Sequence, residues 1–355
     1  MDDINKKSKE ELLRDMKPPG AYLDSLSGFT DIIGTIKQAE SAANELLKET
    51  AESTKQKKTA AQPQTPETSE AQTEEAPEEE KTQEELLEIL DALIGLENIK
   101  QSVKSLINYV KIRNLRKEKE LPNPPMSLHM VFAGNPGTGK TTVARILSEL
   151  YKAIGVLSKG QLIEVDRSGL VAGFVGQTAI KTSEVVTSAL GGILFIDEAY
   201  ALAPDTGGAV NDFGREAIET LLKLMEDNRD DLIVIVAGYS EPMERFITSN
   251  PGLESRFNRY FFFEDYNSEE LYDIFDTMCV KSEYHLTDEA KDYAREHFAE
   301  IYENRDENFG NARHVRNFFE NIVTVHSDRV SKLEGHTRDD LTMVILEDLE
   351  KAAEM

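Results

Sequence analysis

Short apolar runs alternate with helical segments across the middle of the chain. Five runs, 129–133 (HMVFA), 162–165 (LIEV), 193–196 (ILFI), 232–236 (LIVIV) and 260–263 (YFFF), are nearly continuous in hydrophobic residues. That is the pattern of strands covered on both faces. Between them, 141–153, 178–189 and 213–226 carry helical spacing. The alternation predicts an α/β fold with a doubly wound parallel sheet and helices on both faces. Upstream, Leu86, Leu87, Ile89 and Leu90 open a helical pattern that Gly95 punctuates. Ile99, Val103, Leu106, Ile107, Val110 and Ile112 continue it, and a helix there should end before Pro122. After Asp265 no strand pattern appears. The segments 268–282, 287–302, 311–333 and 339–353 read as helices, so 266–355 is expected to be an all-helical subdomain.

The N-terminal part has a different texture. Residues 51–82 contain no Ile, Leu, Val, Met, Phe, Tyr or Trp. Such a stretch buries too little surface to offset its ordering entropy, and it reads as a disordered acidic linker. Residues 1–50 carry Leu12, Leu13, Tyr22, Phe29, Ile32 and Ile33 among others, and 31–52 has helical character without proline. The expected division is therefore 1–50, a partly helical segment; 51–82, the linker; 83–265, the α/β subdomain; and 266–355, the helical subdomain.

Charge and composition narrow the function classes. The 355 residues hold 40 Lys plus Arg against 66 Asp plus Glu, a formal net charge of −26. A balance that negative repels phosphate backbones and argues against a dedicated nucleic-acid-binding protein. One cysteine excludes an intrachain disulfide framework and a Cys-based zinc site, and fits a reducing compartment. No apolar run approaches the roughly 18 residues of a membrane helix. The opening residues lack the apolar core of a secretory signal, so a cytoplasmic protein is expected.

The strongest chemical signal is Gly134-Asn135-Pro136-Gly137-Thr138-Gly139-Lys140-Thr141, a match to GxxxxGK[ST], followed by Thr142. It follows a predicted strand and opens a predicted helix, as the motif requires. Glycines let backbone N–H groups curl around phosphate oxygens, and the helix N-terminus adds partial positive charge. Lys140 can reach terminal phosphates, and the Thr141 hydroxyl can ligate Mg²⁺. Downstream, the run 193–196 ends in Asp197 and Glu198. At the end of a strand beside a phosphate loop, Asp197 can hold Mg²⁺ through its water shell, and Glu198 can polarise an attacking water. The six histidines are scattered without metal spacing, and Cys279, among apolar neighbours, reads as a buried thiol.

Together with the downstream arginines, these elements resemble the AAA+ ATPases. Three segments, VFAGNPGTGKTTVARI, GGILFIDEAYAL and LIVIVAGYSEPMERFITSNPGLESRF, resemble the branch that contains red-type Rubisco activase and stage V sporulation protein K. The resemblance spans about residues 83–335. It implies a P-loop NTPase sheet with a C-terminal helical lid, and a ring, usually hexameric, with ATP and Mg²⁺ at subunit interfaces. It also implies roles for particular residues. Arg256 and Arg259 match arginine fingers that reach a neighbour's γ-phosphate. Arg313, in GNAR, matches the lid arginine called sensor 2. Phe174 and Val175, between Gly173 and Gly176, match the pore loop that grips polypeptide. The sensor-1 position falls at Tyr239 or Ser240. The Gly-rich stretch 204–209 is a candidate second pore loop.

The function expected from the sequence is ATP hydrolysis coupled to remodelling of a protein client drawn through a central pore, by a self-associating ring without a membrane segment. Two alternatives stand beside it. One is a nucleic-acid-associated ATPase, against which the net charge and the aromatic pore pair speak. The other is a nucleotide-gated scaffold, against which an intact Glu198 speaks.

Overall fold

The computed structural model describes residues 81–123, 127–174, 176–203 and 213–355. The expectations for residues 1–50, for 51–80, for Val175 and for 204–209 lie outside the described residues.

The described chain begins with helix α1 (Gln83–Asp91). A reciprocal capping box starts it: Glu85 N donates to Thr82 Oγ1, and Thr82 N donates to Glu85 Oε2 at 2.7 Å. Two residues with positive φ, Gly95 and Leu96, turn the chain into α2 (Glu97–Glu118). Helix α2 buries Ile99, Val103, Leu106, Ile107 and Val110, five of the six positions its spacing predicts, leaves Ile112 exposed past the end of the packed stripe, and stops short of Pro122. Strand β1 (Met130–Gly134) follows, then α3 (Lys140–Ala153), β2 (Leu162–Val165) and the short α4 (Arg167–Leu170). Next come α5 (Gln177–Ser188), β3 (Ile193–Ile196), a 3-10 turn (Ala199–Leu202) and α6 (Phe213–Asp227). Strand β4 (Ile233–Gly238), α7 (Ser240–Thr248), α8 (Pro251–Arg256) and β5 (Tyr260–Phe263) complete this part. Helices α7 and α8 are additions to the predicted elements.

The five strands form one parallel sheet in the order β2-β3-β4-β1-β5. Side chains alternate between two buried faces, which explains why β1, β3 and β4 read as unbroken apolar runs. Phe132, Phe195, Ile235, Phe261 and Phe263 face α1, α2 and α3. Val131, Leu194, Ile196, Val234 and Val236 face α5, α6 and α7. Phe132 anchors the first layer, with ring centroids 5.2 Å from Phe261 and 5.0 Å from Phe263. At about 25 cal/mol per Å² of buried apolar surface, each such ring stabilises the fold by roughly 2–3 kcal/mol.

Beyond β5 lie α9 (Ser268–Lys281), β6 (His285–Leu286), α10 (Asp288–Glu303), α11 (Ala312–Val330), α12 (Arg338–Thr342), β7 (Met343–Val344) and α13 (Leu346–Ala353). Phe275, Phe298 and Phe318 form their aromatic centre, with centroids 5.5–5.8 Å apart. This part is helical apart from one two-residue parallel pair, β6 with β7. That pair corrects the expectation of a single helix over 339–353. Val344 is buried against Leu286 and its carbonyl accepts from Thr287 N at 3.1 Å, so tertiary pairing overrides helical spacing at Met343–Val344. Asp348 then caps the resumed helix by accepting from Ile345 N at 3.1 Å, while Arg329 donates to both of its oxygens at 2.8 Å.

Candidate functional site

The carboxyl ends of β1, β3, β4 and β5 converge where the strand order reverses around β1, the place where open parallel sheets bind ligands. The loop after β1 is shaped by its glycines. Gly137 has φ +74, and a Cβ there would collide with the carbonyl of Gly310 and the backbone N of Arg313. Gly139 has φ +91 and caps α3 from the left-handed region without a side chain to block the helix N-terminus. Thr138 is buried and donates through Oγ1 to Asn135 O at 2.8 Å, which closes the loop on itself.

Lys140 folds back over this loop. Its Nζ donates to the carbonyls of Gly134 at 2.8 Å and Asn135 at 2.7 Å. Burial pulls its pKa down to about 8; Asp197 and Asp265 resist the shift and Arg313 adds to it. A half-desolvated cation held only by backbone carbonyls is ready to exchange them for a phosphate.

The two carboxylates sit past β3. Asp197 N donates to Val165 O at 2.8 Å, which extends the ladder one residue beyond the strand. Asp197 Oδ1 accepts from Glu198 N at 3.0 Å. Glu198 has φ 47 and ψ 41, a left-handed conformation uncommon outside glycine and frequent at functional sites. Tyr200 follows two residues on, and burial followed by the Glu198 charge pushes its pKa up to about 12. Its ring lies against Gly238 at the end of β4, and its centroid is 6.2 Å from that of Tyr239.

A cavity of about 630 Å³ opens over these groups, within the range of small-ligand sites. Gly134, Pro136, Gly137, Gly139, Lys140, Thr141 and Thr142 form its floor, and Asp197 and Glu198 line it as well. Asn135 and Thr138 shape the loop from behind. Arg313 and Arg316 reach in from the first two turns of α11, and Tyr239 comes from just past the end of β4. Of the two sensor-1 candidates, Tyr239 lines the cavity, while Ser240 is the first residue of α7. The other end of the cavity is mostly apolar, walled by Leu93, Ile94 and Leu96 on one side and Ile274 and Met278 on the other, with Thr277 and Lys281 on the same helix.

That combination fits a nucleoside triphosphate: a backbone cradle and three cations at one end, an apolar slot for a base at the other. A divalent cation fits too. Thr141 and Asp197 offer two hard oxygens on the same cavity, and among the described residues no cluster of three or more acidic, His or Cys side chains could hold a metal without a ligand's help. This donor set suits magnesium shared with phosphate oxygens.

Arg256, Arg259 and Phe174 are not brought into this cavity. Arg256, at the end of α8, reaches Glu226 at 3.3 Å and Gly252 O at 3.3 Å. Arg259 Nε donates to Ser127 O at 3.2 Å, and its guanidinium lies 5.8 Å from the Tyr109 ring. Phe174 is 72 % exposed on the loop between α4 and α5, and a Cβ on either flanking glycine would meet open space. Cys279 is buried, and burial pushes its thiol up to about 12, the expected inert residue. The base-facing segment around Leu93–Leu96, Tyr200, Asp265, Asn311 and Arg316 carried no recognisable signal in the sequence. Only the paired turn residues Gly95 and Leu96 and the second arginine of GNARHVR hint at them.

Comparison with known proteins bears on this geometry. A family profile described as the ATPase family associated with various cellular activities (AAA) matches residues 130–265, and one described as the AAA lid domain matches 267–355. The chain is 41% identical over 261 residues to stage V sporulation protein K of Bacillus subtilis, covering 73% of this chain and 80% of that protein. It is 41% identical over 274 residues to the chloroplastic ribulose bisphosphate carboxylase/oxygenase activase of Cyanidioschyzon merolae, covering 75% and 91%. It is 44% identical over 234 residues to protein CbbX of Cereibacter sphaeroides, covering 65% and 74%. Among solved structures, the FIGL-1 AAA domain in complex with ADP superposes with a TM-score of 0.53 at 18% identity, over 74% of this chain and 82% of that one. A RuvB mutant of Thermotoga maritima gives 0.51 at 17% identity, over 75% and 71%. These two establish likeness of fold alone.

Proposed function

The chain belongs to the AAA ATPase family, whose members hydrolyse ATP, and from that premise we propose that it works as a six-membered ring that remodels a protein client drawn through a central pore.

 The observation that carries this reading is Phe174, a large aromatic side chain left 72 % exposed at a glycine-flanked turn away from the nucleotide cavity. A ring held out in water on an uncrowded loop suits non-specific apolar grip on varied sequences.

In this reading ATP binds with its base between Leu93–Leu96 and helix α9, and its phosphates on the loop Gly134–Thr142. Lys140 leaves the carbonyls of Gly134 and Asn135 to pair with the terminal phosphates. Thr141 and Asp197 would hold Mg²⁺, which would supply charge neutralisation to the bound phosphates. Glu198 orients and polarises the attacking water, and Arg313 contacts the phosphates from the lid of the same subunit. Arg256, with Arg259 beside it, completes the site of a neighbouring subunit, so hydrolysis depends on assembly. The absence of both arginines from their own cavity supports that assignment. Phe174 and Val175 deliver the resulting movement to the client.

The test is a pull-down with a Glu198→Gln variant in ATP, where a stalled ring should retain its client. Rings that assemble, bind ATP and yet capture no protein above the Lys140→Ala background would count against remodelling.

A further inference from the structure

The lid is tied to the phosphate loop by a polar joint as well as by apolar packing. Asp265, two residues past β5, accepts from Asn135 Nδ2 at 3.0 and 3.2 Å and from Asn311 Nδ2 at 2.7 Å. Arg305 Nε stands 3.9 Å from the second carboxylate oxygen. Asn311 is fully buried, and both ends of its amide are used. Its Oδ1 accepts from Tyr266 N at 2.9 Å, and its Nδ2 also donates to Phe309 O at 3.0 Å. Beside it, Ala312 N donates to Gly137 O at 3.2 Å.

The backbone at Asn311 is unusual, with φ 48 and ψ −128. A non-glycine residue holds such a conformation only when its surroundings over-determine it, and such strain concentrates at functional sites. The bonds to Asp265, Tyr266 and Phe309 supply that constraint. Two residues further on, Arg313 enters the cavity from the first turn of α11. One carboxylate therefore joins the second residue of the phosphate loop to the residue that launches the lid arginine.

We propose that Asp265 and Asn311 are positioning residues for ATP hydrolysis, which act by holding Arg313 in register with the phosphate loop. This rests on the reading of Arg313 as a phosphate ligand. The joint touches no reacting atom. Its effect is geometric, and a displacement of about 1 Å at a catalytic group can cost on the order of 100-fold in rate.

The experiment is steady-state ATP turnover by the full chain carrying Asp265→Ala, Asn311→Gly or Arg313→Ala, singly and in pairs. Asn311→Gly removes the amide while suiting the positive φ, so it tests the joint even if Asp265→Ala does not fold. Each joint variant should lower turnover by about tenfold or more. Asp265→Asn keeps one oxygen able to accept from both amides and should lose less than about threefold. Combined with Arg313→Ala, neither joint variant should cost anything further, because the residue they position is already gone. Losses that multiply with that of Arg313→Ala, or wild-type turnover by Asn311→Gly, would overturn the proposal while leaving the lid-arginine role intact. Wild-type turnover by Arg313→Ala would remove that role and this proposal together.

Discussion

The Arg256 guanidinium pairs with Glu226 of its own chain at 3.3 Å and takes no part in its own nucleotide cavity. An arginine held by one half-exposed carboxylate and one backbone carbonyl is readily released to a stronger anion. Arg256→Ala should therefore leave ATP binding by each subunit intact and cut hydrolysis by roughly 10³-fold or more, the scale of an arginine finger. Mixing Arg256→Ala with Lys140→Ala subunits is the sharper measurement. Interfaces that pair a sound phosphate loop with a sound finger should regain activity. No rescue at any ratio, with mixed assembly verified, would place Arg256 outside the trans site.

Lys140 makes a second prediction through its proton. Burial lowers its pKa to about 8 in the free protein, and bound phosphates favour the charged form and must raise it again. At pH 8 the free lysine is about half protonated, so ATP binding should take up about half a proton. Affinity should weaken as pH rises above 8. Calorimetry in buffers of different ionisation enthalpy measures the uptake. Proton release, or no uptake that depends on Lys140, would contradict this account. Lys140→Ala should abolish binding, whereas Glu198→Gln should keep binding and lose turnover.

His129 links the fold to pH. Its Nδ1 accepts from Val234 N at 3.0 Å, which ties β1 to β4 at their entry ends. Burial, then the nearby Arg256 charge, lowers its pKa from 6.5 to about 4. The unfolded chain binds a proton near pH 6.5 that the folded chain refuses until about pH 4, so stability falls as pH drops through that window. By pH 5 the loss from this one residue is roughly 2 kcal/mol. Urea unfolding at pH 7 and pH 5 should show it, and His129→Gln should remove that share of the difference. An equal pH dependence in both proteins would mean that His129 is not the source.

The sequence made the sheet legible because each strand is an apolar run and each helix between strands keeps its spacing. Lys140, Asp197 and Glu198 were legible for the same reason: each stands at a fixed offset from a strand end. Asp265 and Asn311 were not. Asp265 bonds Asn135 across 130 positions of chain and Asn311 bonds Pro136 across 175, through the fold and not through any local pattern. Tyr200 belongs to no motif, and its place is set by Gly238 beneath its ring. The break at Met343–Val344 needed Leu286 beside it to show. Periodicity reports which face is buried; it does not report which distant polar group a buried side chain will find.

The pore assignment gives the last prediction. Phe174→Ala should leave basal ATP hydrolysis within a few-fold of wild type and abolish remodelling of whatever client the Glu198→Gln trap retains. The separation follows from placement. Phe174 lies outside the nucleotide cavity, and its loop is joined to α5 by bonds that the ring does not make: Ala172 N donates to Thr178 Oγ1 at 3.1 Å, and Lys181 Nζ donates to Ser168 O at 2.6 Å and Val171 O at 3.1 Å. Removing the ring therefore deletes an apolar contact worth about 1.5–3 kcal/mol per engaged subunit while the loop's anchors stay in place. Phe174→Tyr should be nearly silent, because the ring survives and its hydroxyl stays wet on an exposed loop. Undiminished remodelling by Phe174→Ala would mean that this loop does not hold the client, and the grip would have to be sought on another surface of the ring.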